Sequence, residues 1–273
     1  MTYSVIGARG FIGSAFVRVL GERGISVSSL THAEALERTD DLGDVIYASG
    51  VAWDANKRLS DAVRTHVDVP LALLEKSLRS FTYVSSTRVY GNSSETHETT
   101  PAHVAQGDVY AATKAAGEVV VLSDPRSSVR VVRLSNVYGP SFGSGLMSSD
   151  FLRQAACTGR IEVRSSRDSE KDHVSVDDVV DMTLQIVASG KERVYNLASG
   201  KNTKQGRLLD RIASVSGCSV DVLPGSPSIV FAPIDVRRIR DEFGFRARDV
   251  LDDVPALWKV FEQHFASAKQ TVR

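Results

Sequence analysis

The chain has 273 residues, 42% of them apolar and 24% charged, with 33 Lys+Arg against 33 Asp+Glu. That length accommodates one large α/β domain or a core domain with a smaller lobe, and the balanced charge excludes a global basic field, so neither nucleic acid nor a membrane is expected as a partner. The two cysteines, Cys157 and Cys218, are far apart and lack ligand spacing, so no metal is expected. No apolar run approaches the ~20 residues of a membrane span. Met1 leads into a strand-like TYSVIG rather than a basic-then-apolar leader, and the expected location is cytoplasmic.

In chain order, β-branched runs at 3–6, 26–30, 45–48, 81–85 and 129–134 read as buried strands. Helical stretches at 11–23, 61–77 and 109–122 lie between them. Strands alternating with helices predict right-handed βαβ units and an α/β, Rossmann-type doubly wound parallel sheet. Residues 141–149 (SFGSGLMSS) are small and read as a joint to the C-terminal part of the chain. Beyond it, 194–197 and 220–223 read as short strands, and 224–233 as a loop. The expected division is a dinucleotide-binding domain over 1–140 with part of 172–200, and a smaller C-terminal substrate lobe over 141–171 and 201–273.

Gly7-Ala8-Arg9-Gly10-Phe11-Ile12-Gly13 joins the first strand to the first helix. One glycine permits the tight turn, another the close approach of backbone to a pyrophosphate, and the third the packing of helix on strand. The amides opening the helix at Phe11, Ile12 and Gly13 then face a diphosphate. At the end of the second strand, Ser28, Ser29, Thr31 and His32 stand where a ribose-binding carboxylate would select NAD. Those hydroxyls, with Arg9 available for a 2′-phosphate, favour NADP over NAD as the cofactor.

Tyr110 and Lys114 fall four apart in GDVYAATKAAGEVV, on one helical face. A phenol with a pKa of ~10 is a poor acid or base at neutral pH, and an adjacent ammonium would lower it toward the working range. The spacing alone equally describes a half-buried tyrosine beside a solvated lysine.

Together these features resemble the extended short-chain dehydrogenase/reductase superfamily, in its NAD(P)-dependent epimerase/dehydratase branch. The resemblance rests on GARGFIG at 7–13, VSSTRVYG at 84–91, YAATK at 110–114, RLSNVYGP at 133–140, DHVSVDDVV at 172–180 and YNLASG at 195–200. It implies a nucleotide-sugar substrate, with Tyr110 as acid/base and Ser86 as the hydroxyl bonded to the reacting sugar oxygen. Lys114 would hold the nicotinamide ribose and lower the Tyr110 pKa, and Ser85 joins the cofactor contacts. Thr87 and Asn136 fall on the substrate side, the latter toward the diphosphate. Asp178 matches a structural link. A homodimer through the Tyr110 helix and the 61–77 segment is also implied.

Arg164, Arg167, Lys171, Arg207 and the Arg237-Arg238-Arg240 cluster offer guanidinium and ammonium groups for a diphosphate, and Arg207 and Arg237 are taken as the candidates. Three departures narrow the chemistry. Family 4,6-dehydratases place Asp-Glu where this chain has Thr87-Arg88, which disfavours 4,6-dehydration. About fourteen residues separate the second strand from Asp44-Val45-Ile46-Tyr47, too few for a further strand. The sheet should therefore be one edge strand short, as in 4-ketoreductase members. His66 replaces a usual Asn, and an imidazole is expected not to reproduce the amide's hydrogen bonds. The leading expectation is redox at a carbinol or keto carbon of a nucleotide sugar, leaning to 4-ketoreduction. The alternatives are a 4-epimerase retaining NAD, a reductase of small carbonyl compounds, and a non-catalytic dinucleotide sensor or scaffold.

Overall fold

The computed structural model describes residues 2–51, 54–143 and 147–271. In chain order the elements are β1 (Thr2–Ile6), α1 (Phe11–Glu22), β2 (Ser26–Leu30), α2 (His32–Glu37), β3 (Asp44–Tyr47), α3 (Leu59–Val63), a π-helical turn (Arg64–Asp68) and α4 (Val69–Leu74). Next come β4 (Ser80–Ser86), α5 (Val109–Ser123), β5 (Val129–Leu134), β6 (Asn136–Tyr138), α6 (Met147–Thr158), β7 (Arg160–Val163), β8 (Glu170–Ser175) and α7 (Val176–Ser189). The chain ends with β9 (Val194–Leu197), β10 (Asn202–Lys204), α8 (Gln205–Ser216), β11 (Ser219–Val222), α9 (Arg237–Phe243) and α10 (Val250–Thr271).

The chain divides into two compact units. The first comprises Met1–Ser135, Val176–Leu197 and Asp235–Phe245. Its sheet runs β2-β1-β3-β4-β5-β9 with every neighbouring pair parallel. Strands β3, β4 and β5 are buried along their whole length, as expected of strands covered on both faces. Strand β2 is only partly buried and forms the edge, so no described strand lies outside it. The short interval before β3 predicts that truncated edge. Strand order reverses between β1 and β3, which is where an α/β sheet opens a ligand crevice at the carboxyl ends of its strands.

The second unit comprises Asn136–Ser175, Ala198–Ile234 and Arg246–Arg273. It holds a three-stranded β10-β8-β6 sheet and a two-stranded β11-β7 ribbon. Phe151, Leu152, Ile161, Leu209, Trp258 and Phe261 lie in its own apolar core.

The expected 61–77 helix is corrected. It is α3, a π turn and α4, ending at Leu74. Pro70 explains part of this, because it has no N–H for the carbonyl four residues earlier. That carbonyl, His66 O, takes the hydroxyl of Tyr83 at 3.0 Å, and Thr65 O takes the hydroxyl of Tyr47 at 2.6 Å. Two tyrosines from adjacent strands thus satisfy the carbonyls of the widened turn.

Candidate active site

The glycine turn is built as its composition requires. Gly7 has φ +91°, in the left-handed region, and Gly10 N donates to Gly7 O at 2.9 Å. A Cβ on Gly7 would lie 2.7 Å from Ser49 N, and one on Gly13 only 2.2 Å from Gly7 O. The turn therefore packs backbone on backbone against the end of β3. No side chain caps the N-terminus of α1, whose first turn is formed by Phe11, Ile12 and Gly13. Uncapped amides behind a turn that lacks Cβ atoms at Gly7, Gly10 and Gly13 fit a dinucleotide diphosphate.

The end of β2 and the start of α2 hold a carboxylate as well as hydroxyls. Thr31 is the N-cap of α2 and forms a capping box with Glu34. Its hydroxyl accepts from Glu34 N at 3.2 Å and donates to Glu34 Oε2 at 2.7 Å. One donor and one acceptor of Thr31 are thus already engaged. Glu34 is a carboxylate the sequence reading passed over, although T-H-A-E from Thr31 is a legible capping-box pattern. Hydrogen bonds from Thr31 hold Glu34 below the usual carboxylate range, and the charge of Arg9 acts in the same direction. Ser29 is exposed on β2.

Ser85 and Ser86 end β4, and Tyr110 lies in the first turn of α5. Ser86 Oγ accepts from Arg88 N at 3.2 Å, and Thr87 opens the short 3-10 turn behind it. Burial raises the Tyr110 pKa, whereas a hydrogen bond with Ser86 and the charge of Arg88 pull it down, and Asp108 raises it. The structure thus brings Ser86 and Tyr110 together.

Lys114 needs a correction. Its Nζ donates to Val84 O at 2.8 Å and lies 4.8 Å from the Tyr83 ring centroid. It is 4% exposed, and burial lowers its pKa to about 7, against the raising charge of Glu118. Its N–H is committed to a carbonyl rather than to the phenol. Burial outweighs the lowering contributions of Ser86 and Arg88, so the phenol stays above its ordinary value, where the sequence leads one to expect it lowered by Lys114.

His66 also departs from expectation. Val51 N donates to Nε2 at 3.0 Å, so Nε2 is unprotonated. Nδ1 therefore carries the proton and donates to Thr113 Oγ1 at 2.8 Å, whose own hydrogen goes to Val109 O at 2.7 Å. The neutral imidazole supplies one donor and one acceptor, which the sequence reading had denied it. Burial, with a contribution from the Lys114 charge, lowers its pKa to about 2, in keeping with a neutral ring whose two nitrogens are both already hydrogen-bonded. Its ring meets that of Tyr110 edge-on at 5.8 Å.

One turn past Lys114, Glu118 forms a buried ion pair with Arg133, at 2.6 Å from Nη2 to Oε2. Ser85 Oγ donates to the same carboxylate, and Arg133 Nη1 donates to Tyr90 OH at 2.9 Å. Sequence reasoning missed this network. Its signals were single charges inside apolar runs, in AAGEVV and VRVVRL.

The remaining candidates are dispersed. Asn136, in the second unit, donates from Nδ2 to Asp172 O at 2.8 Å. Arg207 is exposed on α8 of that unit. Arg237 is 70% exposed in its side chain and forks onto Asp235, with Nε to Oδ2 at 2.9 Å. Arg238 donates to Val194 O at 2.6 Å and serves the first unit's own structure. Asp178 lies in the first turn of α7. No described helix is long and apolar enough to cross a membrane.

A doubly wound sheet with a glycine turn at its switch point and a Ser–Tyr–Lys group at the ends of β4 and α5 defines a dinucleotide-dependent enzyme of the extended short-chain dehydrogenase/reductase type. The chain belongs to the NAD dependent epimerase/dehydratase family, whose model matches residues 3–198. It is 26% identical over 307 residues to a dTDP-glucose 4,6-dehydratase of Streptomyces griseus, covering 95% of this chain and 94% of that one. Its fold is similar to that of TunA, an NAD-dependent NDP-hexosamine 5,6-dehydratase of tunicamycin biosynthesis, with a TM-score of 0.84 at 20% identity, covering 96% of this chain and 98% of TunA. RMD from Pseudomonas aeruginosa, complexed with NADPH, superposes with a TM-score of 0.80 at 21% identity, covering 96% and 98% of the two chains.

Proposed function

We propose that the protein performs nicotinamide-dependent redox at a carbinol or keto carbon of a nucleotide-activated sugar, in the direction of 4-ketoreduction. The observation carrying this reading is the Ser86–Tyr110 pair at the end of β4, with Arg88 beside it. The nicotinamide cofactor, held at the turn of Gly7, Arg9, Gly10 and Gly13, would supply the hydride chemistry. Ser86 orients the reacting oxygen, and Tyr110 gives it a proton or takes one. Lys114, fixed on Val84 O, presents an ammonium in the same buried site to a ribose hydroxyl. Asn136, Arg207 and Arg237 remain the proposed diphosphate contacts. 4,6-Dehydration is the activity of the Streptomyces griseus relative, but it requires a base near the adjacent carbons, and Thr87-Arg88 offers no carboxylate there.

For ketoreduction the proposed cofactor is NADPH, with Arg9 meeting the 2′-phosphate. A second reading, 4-epimerisation with retained NAD, is favoured by Glu34, whose carboxylate lies close enough to Arg9 to feel its charge and would suit a ribose diol. A homodimer is proposed on the helical face carrying Leu59, Val63, Leu71 and Val119, which are 55%, 43%, 48% and 72% exposed. Light scattering at micromolar concentration tests it, and a monomer there rules it out.

The functional test is turnover of a nucleotide-4-ketosugar panel with NADPH, followed at the nicotinamide absorbance. One cofactor consumed per product supports ketoreduction. Inversion at C4 in a parallel panel of 4-hydroxy nucleotide sugars, without net absorbance change and from protein purified with bound NAD, selects epimerisation instead. Tyr110→Phe is expected to lower kcat by roughly 10²-fold or more. Unchanged turnover in that variant refutes the proton-transfer role.

A further inference from the structure

A long connection separates Ser86, at the end of β4, from Tyr110, in the first turn of α5, and one ion pair spans it. Ser86 Oγ accepts the backbone N–H of Arg88 at 3.2 Å. The Arg88 guanidinium donates to Asp108 Oδ2. Asp108 is the N-cap of α5, and its other oxygen, Oδ1, accepts from Ala111 N at 3.0 Å. Each carboxylate oxygen therefore has its own task, one closing the helix and one holding the guanidinium. A neutral cap could do the first. Only an ionised carboxylate makes an ion pair of the second. With side chains 50% and 19% exposed, the pair contributes little to global stability. Its importance lies in where it sits.

We propose that the Arg88–Asp108 ion pair is a positioning element of the proton-transfer site, tying the strand end that carries Ser86 to the helix turn that carries Tyr110 and placing opposite charges beside the phenol. This rests on the acid/base role proposed for Tyr110. Among the described residues, the groups that surround the phenol are these. Ser86 faces it from β4, Arg88 from the 3-10 turn and Asp108 from the helix cap, while His66 meets it edge-on from the π turn. The Tyr83 hydroxyl is within electrostatic range but committed to His66 O. Farther along α5, Lys114 is bonded to Val84 O and Glu118 to Arg133. Among the described residues, Arg88 and Asp108 act on the phenol as full charges, and in opposite senses.

That opposition supplies the test. Full-length protein labelled with [13Cζ]tyrosine, its Tyr110 resonance assigned with Tyr110→Phe, is titrated by NMR from about pH 8 to about pH 12, the range of a tyrosine phenol. Arg88→Gln is expected to raise the Tyr110 pKa by ~0.5 unit or more, as for a partly exposed charge at high effective dielectric. Asp108→Asn keeps an N-cap and is expected to lower it. Arg88→Lys keeps the charge and should restore most of the wild-type value. A purely structural tether would, when cut, hydrate the phenol in both variants and move both in one direction. Shifts of the same sign in Arg88→Gln and Asp108→Asn, or a shift in neither, overturn the proposal. Failure of the underlying acid/base reading is seen separately, as undiminished turnover by Tyr110→Phe.

Discussion

Helix α5 with the strands beneath it and the β2–α2 edge carry the two ends of the proposed cofactor contacts, and they satisfy their polar groups in opposite ways. Along α5, Lys114 and Glu118 are 4% exposed and bonded to partners distant in sequence, Val84 and Arg133. At the edge, Thr31 and Glu34 satisfy one another within a single helical turn, in water. A buried charge stripped of its partner has nowhere to go, whereas an exposed one exchanges a protein partner for solvent. Substitutions should therefore hurt in proportion to how distant and dry the lost partner is.

The sharpest way to break the contrast is Glu118→Ala, which leaves Arg133 buried without its counter-charge. The expected loss is roughly 3–5 kcal/mol, read from urea unfolding. A loss below about 1 kcal/mol would place α5 in the same class as the edge.

Acid should expose His66 next. The unfolded imidazole binds a proton below its ordinary pKa of 6.5, while the folded one refuses it until about 2. The unfolded state thus gains protons first, and the stability present above pH 6.5 is lost as pH falls. Between about pH 6.5 and 4 this amounts to about 3 kcal/mol. His66→Asn, which keeps a donor and an acceptor, should flatten that acid limb in denaturant titrations. An unchanged limb would contradict the neutral, buried imidazole.

Lys114 gives the opposite window. Its folded pKa of about 7 lies below the unfolded 10.5, so the burial penalty is complete below pH 7 and fades as pH rises toward 10.5. Wild type should gain about 2–3 kcal/mol on Lys114→Met between about pH 6 and 9. Parallel stability curves for the two proteins would mean that the ammonium is not desolvated. The smallest effect is expected at the edge, where Thr31→Ala removes the capping box for about 1 kcal/mol, measurable as a shift in thermal midpoint. A loss as large as that of Glu118→Ala would erase the distinction between the two regions.

Much of the fold was legible because its signals are local. Buried parallel strands read as apolar runs, and 26–30, 129–134 and 194–197 fall where those runs are. The glycine turn was legible because its steric need is written in residues without Cβ. The interruption of the 61–77 helix was not, although Pro70 marked the spot. Its carbonyls are satisfied by Tyr47 and Tyr83, which sequence does not place there. The strands β6, β7, β8 and β10 were also missed: β6, β7 and β10 have too few residues to establish a period, and β8, EKDHVS, opens on charged residues and presents no apolar run.

By itself, the sequence determined the class of sheet, its truncated edge and the glycine turn, since each depends on residue type at fixed spacing, and it offered Ser86, Tyr110 and Lys114 as candidates through the family resemblance. Tertiary structure alone decided how those groups are charged. Spacing puts Lys114 one turn from Tyr110, but the Val84 carbonyl claims its ammonium. Arg88, which reads as a mere substitution, lies where its charge reaches the phenol. His66 becomes a neutral bridge between Val51 and Thr113. Proton affinity depends on burial and on neighbours brought close by folding, and neither is written in the order of residues.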